Sequence, residues 1–265
     1  MKDIEKYGEW VVVTGASSGI GREFAKELAA KGKKIVLVAR TEANLQQMLE
    51  QDLDASHRIV VADLCTATGL KALTQATKEL DVGLVVHSAG LAHAGAFLNG
   101  TSKTDTNLQA IHMSASVEIA RVFGRRFVNR GSGGLIFVSS GFGFAPIPYA
   151  AVYGASKAFV ISFGEALAVE LRSKNVDVLT VIPGATKTNM AEKLAEQIDM
   201  SKVPMPHGDP RAVARAGLAA LGHKDSVVPG AMNKVMALMM GLMSRRMAKG
   251  QFGKLLKSAL IIQPE

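Results

Sequence analysis

The stretch WVVVTGASSGIGREFAKELAAKG, residues 10–32, decides the fold of this chain. Its first five residues form an apolar, β-branched run, which predicts a strand that is buried on both faces of a sheet. Three glycines follow within residues 15–21, and Ile20, Phe24 and Leu28 then step by four, which predicts a helix with one apolar face. The stretch is therefore typical of the first strand, tight turn and helix of a βα unit.

Six further apolar runs follow, and segments with helical spacing lie between them. The runs are KIVLVA (34–39), RIVVA (58–62), GLVVH (83–87), GLIFVS (134–139), VDVLTVI (176–182) and SVVP (226–229). Leu45, Leu49 and Leu53 show the helical spacing of one intervening segment. The alternation predicts an α/β fold, a single doubly wound Rossmann-type domain whose parallel sheet is covered by helices on both faces.

The length and composition are those of an ordinary folded domain. The chain has 265 residues, of which 48% are hydrophobic and 20% are charged, and this suffices for one α/β domain with a substantial core. Its single cysteine, Cys65, cannot form an internal disulfide, and the sequence begins without the pattern of a secretory signal. We therefore expect a cytoplasmic protein in a reducing compartment.

The net charge of +8 suits an anionic partner, which could be nucleic acid, a membrane surface, or an anionic cofactor and substrate. Through most of the chain the basic residues are scattered, without interleaved aromatic residues or the spacing of a zinc or helix-turn-helix motif. This distribution argues against nucleic acid. His57, His93, His207 and His223 have no common ligand spacing, so we predict no metal site.

The C-terminal segment 231–265 is basic and rich in methionine, and we interpret it as a helical extension of a catalytic domain formed by residues 1–230. Its clustered cations are Lys234, Arg245, Arg246, Lys249, Lys254 and Lys257. One helical face is predicted to carry Met232, Met236, Met239, Met240, Met243 and Met247. The run VMALMMGLM is far shorter than the roughly 20 residues of a spanning helix. Packing against the core or a second subunit and peripheral contact with a membrane both stay open.

Residues 189–210 form the richest predicted loop and carry three of the eight prolines. In a doubly wound fold, a long insertion after the carboxyl end of a strand lies over the ligand crevice. This loop is therefore the candidate substrate lid.

The glycine turn predicts a dinucleotide site. Glycines let backbone N–H groups approach a pyrophosphate closely, and the N-terminus of the following helix attracts the same negative charge. The second predicted strand ends at Ala39-Arg40, where an acidic residue would bind the ribose 2′-hydroxyl of NAD and an arginine suits the 2′-phosphate of NADP. Arg40 favours NADP(H), and the alternative is an arginine that is merely solvated.

Tyr153 and Lys157 are four residues apart, so they share one face of a predicted helix. A phenol with its ordinary pKa of about 10 is a poor base at neutral pH, and a neighbouring lysine cation stabilises the phenolate. Ser140 ends the preceding predicted strand, at the edge of the sheet where ligands collect, and can hydrogen-bond a carbonyl oxygen. The three side chains together predict proton transfer at a carbonyl.

With these motifs the sequence resembles the short-chain dehydrogenase/reductase family over about residues 8–230. The resemblance implies seven strands in the order 3-2-1-4-5-6-7, Tyr153 as the general acid in reduction, and Lys157 as a bridge to the nicotinamide ribose. With Arg40, the implied cofactor-binding residues are Gly15, Ser17, Ser18, Gly19, Ile20, Gly21, Asp63, Leu64, Ser88, Ala89, Gly90, Tyr153, Lys157, Pro183, Gly184 and Thr188.

Two positions depart from the family pattern. After the fourth strand the family has Asn-Asn-Ala-Gly, whereas this chain has HSAG at residues 87–90 and lacks the usual asparagine bracing. The catalytic asparagine of the family aligns with His112 or, in a second alignment, with Asn107. His112 could anchor a water in a proton relay or, with a pKa near neutrality, carry the proton itself. A packed histidine without a role is the alternative.

We predict an NADP(H)-dependent oxidoreductase that interconverts a carbonyl and a secondary alcohol. Within the family the chain is similar to reductases of 3-oxoacyl and steroid substrates, which suggests reduction of a ketone of that kind. The expected partners are a small-molecule substrate and further copies of the chain, in a homodimer or homotetramer. The alternative function is a regulator or scaffold that binds NADP without turnover.

Overall fold

The computed structural model describes residues 4–203 and 207–261. The strands are β1 Trp10–Thr14, β2 Lys34–Ala39, β3 Arg58–Val61, β4 Val82–His87, β5 Gly133–Val138, β6 Val176–Val181 and β7 Ser226–Val227. The helices are α1 Gly19–Ala29, α2 Glu42–Asp52, α3 Ala67–Ala76, α4 Ser102–Gln109, α5 Ala115–Arg130, α6 Ala151–Arg172, α7 Asn189–Ala195, α8 Pro210–Ala220, α9 Ala231–Leu242 and α10 Arg245–Ala259. A π-helical turn, Ala110–Ser114, joins α4 to α5.

The strands form one parallel seven-stranded sheet in the order β3-β2-β1-β4-β5-β6-β7. This finding confirms the predicted fold class and strand order. The end of β1 is aligned with its neighbours, since Thr14 lies beside Val38 of β2 and beside His87 of β4. The carboxyl ends of the central strands therefore meet at one edge of the sheet.

Alternate side chains of β1 enter two separate cores, because successive residues of a strand point to opposite faces. Val11 and Val13 pack with buried residues of α1, α2 and α8. Val12 packs with buried residues of α3, α5 and α6. The sheet is therefore covered by helices on both faces, as predicted.

A third apolar cluster joins the C-terminal segment to the carboxyl edge of the sheet. Leu256 and Ala259 of α10 are buried in this cluster together with Tyr153 of α6 and with Ile198. A backbone hydrogen bond fixes the contact, since the Asp199 N–H donates to the Ala259 carbonyl over 2.7 Å. The last helix therefore forms part of the wall around the carboxyl edge.

Residues 189–210 are more regular than predicted. The helix α7 occupies their first part, and a 3-10 turn follows at Met200–Lys202. Thr188 accounts for the start of α7, because its hydroxyl caps the helix by accepting a hydrogen bond from Ala191 N. Residues 204–206 of the predicted loop lie outside the described residues.

The prediction that the methionines share one helical face is wrong. The segment forms two helices, because α9 ends at Leu242 and Met243 is extended. Ser244 then starts a new helix by accepting a hydrogen bond from Met247 N. Met236 and Met240 line the cavity described below.

The helix α6 is long and apolar enough, by length and composition, to cross a membrane. Its position in the fold accounts for that composition, since it packs against β6 and β5 as part of one helix layer. Its buried residues include Tyr153 and Lys157 near its N-terminal end.

We expect Phe24→Ala to lower the free energy of unfolding by about 3–5 kcal/mol, because it leaves a cavity between α1 and α8. The ring is fully buried, and a Cβ built on Gly217 of α8 would lie 2.7 Å from its Cζ atom. Urea unfolding followed by circular dichroism measures the change. Val169→Ala, at a position that is 64% exposed on α6, should cost less than about 0.5 kcal/mol. Equal losses in the two variants would contradict this account.

Candidate active site

A cavity of about 490 Å³ lies at the carboxyl edge of the sheet. Almost all of the predicted site residues line it, although they come from distant parts of the sequence. They are Gly15, Ser17, Ser18, Gly19, Ile20, Arg40, Asp63, Leu64, Ser88, Ala89, Gly90, Ser140, Tyr153, Lys157, Pro183, Gly184 and Thr188. Gly21 and His112 are the predicted residues that do not reach its surface.

The glycine turn is packed closely against backbone atoms and the Thr188 side chain, which leaves no space for side chains at its glycines. Gly15 and Gly19 have φ angles of 66° and 55°, in the region that favours glycine. A Cβ on Gly21 would lie 2.3 Å from the Gly15 carbonyl oxygen, and one on Gly19 would lie 2.8 Å from Cγ2 of Thr188. The role of Gly21 is therefore to let the turn close.

The N-terminus of α1 is suited to a phosphate group. Ser18 precedes the helix in an extended conformation, and its side chain makes no capping hydrogen bond to the first turn. Backbone N–H groups of a first turn have no partner within the helix, so they are free for an anionic ligand. The turn and the helix start thus fit the pyrophosphate of a dinucleotide.

Arg40, the residue that the sequence predicts to select the cofactor, also lines the cavity. Arg40 follows β2, is exposed, and makes no hydrogen bond or ion pair with another described residue. Thr41 and Asn44 also line the cavity. Asp63 follows the end of β3 and accepts a hydrogen bond from Cys65 N over 3.0 Å. No carboxylate therefore follows β2 directly at the position that a ribose 2′-hydroxyl would need.

Ser140, Tyr153 and Lys157 meet at the centre of the cavity. The Ser140 hydroxyl, which accepts a hydrogen bond from Phe142 N over 3.3 Å, lies close enough to the Tyr153 phenol to lower its pKa. The Lys157 ammonium donates to the Val138 carbonyl over 3.1 Å and lies 5.9 Å from the centroid of the Tyr153 ring. The end of β5 and the start of α6 therefore bring the three predicted groups together.

Burial sets the protonation of this group. It raises the pKa of Tyr153, and the nearby Ser140 hydroxyl opposes that shift only in part. Burial also lowers the pKa of Lys157 to about 7. The sequence predicts a phenolate stabilised by the lysine cation, but burial has the largest effect on the Tyr153 pKa, so the phenol keeps its proton at neutral pH.

His87 braces the carboxyl edge where the family has an asparagine. Its Nε2 donates to the Ile111 carbonyl over 3.1 Å, because a carbonyl can only accept. Its Nδ1 therefore accepts from the Thr14 hydroxyl over 2.8 Å, and that hydroxyl accepts from Ala89 N over 3.1 Å. The imidazole of His87 therefore makes hydrogen bonds at the position where the family has an asparagine.

His112 lies in the π-helical turn, and both of its ring nitrogens are hydrogen-bonded. Its Nε2 accepts from Leu91 N over 3.2 Å, so its Nδ1 carries the proton and donates to the Ser156 hydroxyl over 2.8 Å. Ser156 in turn donates to the Tyr153 carbonyl over 2.8 Å. The ring lies 5.8 Å from that of Tyr153, whereas Asn107, from the second alignment, does not line the cavity.

The environment of His112 argues against a titrating proton carrier. Burial lowers its pKa well below the ordinary value, and the charge of Lys157 acts in the same direction. The imidazole is therefore neutral near pH 7, and its two nitrogens are engaged in hydrogen bonds to a backbone amide and a serine. The expectation of titration near neutrality is wrong for this reason.

The substrate side of the cavity is apolar and includes residues that the motifs did not indicate. Its wall combines residues from several elements, among them Phe142, Phe144, Ile147, Leu194, Ile198, Met236, Met240, Phe252 and Leu256. Met236 and Met240 belong to α9, and Phe252 and Leu256 belong to α10. No family motif covers these two helices. In the part of the chain that the structure describes, no group of three or more His, Cys, Asp or Glu residues could hold a metal ion.

Comparison with known proteins identifies the family. The family model described as short chain dehydrogenase matches residues 9–199. This chain belongs to the short chain dehydrogenase family, which confirms the resemblance stated from its motifs. The family consists of oxidoreductases that bind nicotinamide cofactors.

Similar proteins are named for different substrates, a 3-oxoacyl-CoA in one case and a hydroxysteroid in another. The chain is 32% identical over 234 residues to a very-long-chain 3-oxoacyl-CoA reductase of Meyerozyma guilliermondii. That match covers 83% of this chain but 66% of the reductase, so the chain spans slightly less than two thirds of the length of that relative.

Two solved structures are similar over most of their length. A 7beta-hydroxysteroid dehydrogenase, studied for its stereoselectivity, superposes with a TM-score of 0.84 at 26% identity, covering 94% of this chain and 98% of its own. A short-chain dehydrogenase from Sphingobium yanoikuyae in complex with NADPH has a TM-score of 0.74 at 28% identity, covering 88% and 94%.

We expect stability to fall on acidification through His87. Burial lowers its pKa to about 4, whereas an imidazole in the unfolded chain has a pKa of about 6.5. The unfolded state thus binds more protons in this window, so the stabilisation is complete above about pH 6.5 and decreases as the pH falls towards about 4. Between about pH 7 and pH 5 the loss should be about 2 kcal/mol.

Urea unfolding of wild type and His87→Asn at both pH values measures this contribution. The variant should show a pH dependence that is shallower by about 2 kcal/mol. His223→Asn removes an exposed imidazole and should keep the dependence of the wild type. A wild-type dependence in His87→Asn as well would exclude a neutral, buried His87.

Proposed function

We propose that this protein is an NADPH-dependent reductase of bulky, lipophilic ketones. The observation that carries the proposal is the meeting of Ser140, Tyr153 and Lys157 in one cavity, with a phenol that holds its proton at neutral pH. A protonated phenol beside a substrate pocket is suited to proton donation, and hence to carbonyl reduction.

The side chains divide the work at the carbonyl. The nicotinamide cofactor, when bound, supplies the hydride to the carbonyl carbon. The hydroxyls of Ser140 and Tyr153 donate hydrogen bonds to the carbonyl oxygen, where negative charge develops. Tyr153 then transfers its proton to this oxygen, and the negative charge of the phenolate that remains favours the protonated form of Lys157 beside the ring.

His112 acts in this proposal as a positioning residue. Through Ser156 it is connected to the backbone carbonyl of Tyr153, and through Leu91 to the segment after β4. These hydrogen bonds hold the start of α6 against the strand ends, so the phenol is kept close to Ser140. The histidine thereby takes a structural part of the role that the family gives to asparagine, without carrying the proton.

The exposed Arg40 supports NADPH as the hydride donor. Its guanidinium has no partner among the described residues, and Thr41 and Asn44 provide further donors at the same end of the cavity. A guanidinium forms charge-assisted hydrogen bonds with a phosphate, which NADP has at the ribose and NAD lacks. The similarity to a structure in complex with NADPH supports the same choice.

The apolar wall supports a lipophilic substrate. Phe142, Ile147, Met236, Met240 and Phe252 line the same cavity as Tyr153, and such surfaces bind alkyl chains or fused rings by excluding water. Methionine side chains adapt to different shapes. The names of the similar proteins, a 3-oxoacyl-CoA reductase and a hydroxysteroid dehydrogenase, are consistent with an oxoacyl or steroid-like ketone.

For the assembly we propose a homodimer or homotetramer, which sedimentation velocity measures directly.

The alternative function is a scaffold. A scaffold that binds NADP without turnover would have no chemical need for a buried lysine next to a tyrosine, and burying an ammonium carries a cost in solvation. The intact group therefore favours the enzyme over the scaffold.

We expect Tyr153→Phe to reduce kcat at least about a thousandfold, since it removes the proton donor and one donor to the oxyanion. NADPH oxidation is measured at 340 nm against oxoacyl thioesters, steroid ketones and simple aromatic ketones. Tyr149→Phe is the matched control, because that phenol lies outside the cavity, and it should keep the wild-type rate. If wild type is inert on every ketone and as inactive as Tyr153→Phe, while both bind NADPH, the scaffold is the correct function.

Arg40→Ala should weaken NADPH binding about tenfold to a hundredfold and leave NADH binding unchanged, since hydrogen bonds to a charged group contribute about 1.5–3 kcal/mol. Isothermal titration calorimetry with both cofactors measures the two affinities. Arg125→Ala removes the same charge from an exposed site on α5 and should leave both affinities unchanged. Equal affinities for NADPH and NADH in the wild type would contradict the choice of cofactor.

A further inference from the structure

The helix α9 presents apolar side chains on two opposite sides. Met236, Ala237 and Met240 line the active-site cavity. Met232, Val235, Leu238, Met239 and Leu242 are between 53% and 80% exposed. At about 3.6 residues per turn, these two sets occupy opposite arcs of the helix. A helix that faced only water on its outer side would carry polar residues there.

The two C-terminal helices carry an excess of positive charge, with Lys234 on α9 and five cations on α10. The segment from residue 230 to residue 261 contains six cations, Lys234, Arg245, Arg246, Lys249, Lys254 and Lys257, and no Asp or Glu. Within the described chain, none of the six forms an ion pair with a carboxylate. In contrast, Arg211 and Arg215 of α8 share the carboxylate of Glu27. Residues 230–261 therefore carry positive charge that no carboxylate among the described residues pairs with.

A second exposed apolar group lies beside these cations. Phe97 and Leu98 are 63% and 90% exposed, in the 3-10 turn after β4. They line a shallow surface hollow together with Lys254 and Lys257 of α10. Exposed apolar side chains thus occur both on α9 and beside the basic side of α10. We call α9, α10 and this turn the docking face.

We propose that the docking face binds the surface of an anionic phospholipid bilayer. Apolar side chains flanked by lysine and arginine are the pattern of a helix that lies in the membrane interface, with its apolar side among the acyl chains and its cations at the headgroups. The 12 residues of α9 are too few to span a bilayer. The helix therefore lies on the membrane.

Charge decides between a membrane and a second copy of the chain. A symmetric contact between two docking faces would oppose six cations with six more, with no Asp or Glu among residues 230–261 of either copy. An anionic lipid surface has the complementary charge, and it also accepts the exposed methionine and leucine side chains without a fixed shape. The observations therefore favour lipid.

The docking face also gives a route for the substrate, and this part rests on the proposed function. The single helix α9 separates the outer surface from the cavity. A lipophilic ketone dissolved in the bilayer therefore reaches Tyr153 by passing beside α9. Such a substrate does not have to cross water. A water-soluble ketone would not depend on the membrane contact.

Vesicle flotation tests the proposal with the whole chain. The wild type should float with vesicles of phosphatidylcholine and phosphatidylserine and not with phosphatidylcholine alone, and high salt should release it. Leu238→Glu/Leu242→Glu and Lys254→Glu/Lys257→Glu should each weaken binding at least about tenfold. Val169→Glu, at an exposed apolar position on α6, is the matched control and should float as the wild type does. Thermal unfolding and NADPH affinity establish that each variant is folded.

Three results would overturn the proposal. They are the absence of wild-type binding to the anionic vesicles at low salt, equal binding by the double variants, and a dimer that Leu238→Glu/Leu242→Glu dissociates while vesicle binding is absent. In the last case a second copy covers the face. Activity separates the docking from the function: the Leu238/Leu242 variant should lose turnover of a ketone embedded in vesicles and keep turnover of a soluble ketone. Vesicle binding without any turnover would leave the docking intact and refute the enzyme.

Discussion

One buried chain of hydrogen bonds holds the carboxyl edge of the sheet to the helix layer behind it. It runs from Ala89 N through the Thr14 hydroxyl to His87, and from His87 to the Ile111 carbonyl. His87 therefore joins the end of β4 to the π-helical turn that contains His112, by a buried hydrogen bond to the Ile111 carbonyl. Loss of a buried hydrogen-bond partner costs about 1–3 kcal/mol.

The two histidines belong to one polar system, although sequence comparison presents them as separate departures. His87 holds the turn from the strand side, while His112 holds the segment after β4 and, through Ser156, the start of α6. Burial lowers the pKa of both rings. Their neutrality matters because Lys157 lies nearby, and a second buried cation would be repelled by the ammonium. The catalytic group is thus surrounded by donors and acceptors that carry no charge.

The sequence was sufficient for the sheet and for the centre of the site. Continuous apolar runs marked all seven strands to within about two residues. The central strands are buried on both faces and have no polar alternation, whereas the edge strands β3 and β7 are only partly buried. The spacing of Tyr153 and Lys157 and the position of Ser140 at a strand end indicated the catalytic group. The roles of His87 and Ser156 could not be predicted, since each depends on a partner far away in the sequence. The same holds for the cavity wall supplied by α9 and α10.

The end of the C-terminal helix is joined to the segment after α7 by two backbone hydrogen bonds. Asp199 N donates to the Ala259 carbonyl over 2.7 Å, and Ile261 N donates to the Gln197 carbonyl over 3.1 Å. The side chain of Gln197 also accepts from Ala94 N over 2.8 Å. Ile198, which lines the cavity, is thus held between two backbone hydrogen bonds to the end of the chain's last helix. Displacing that helix would break both bonds, so the shape of this wall is tied to the position of α10.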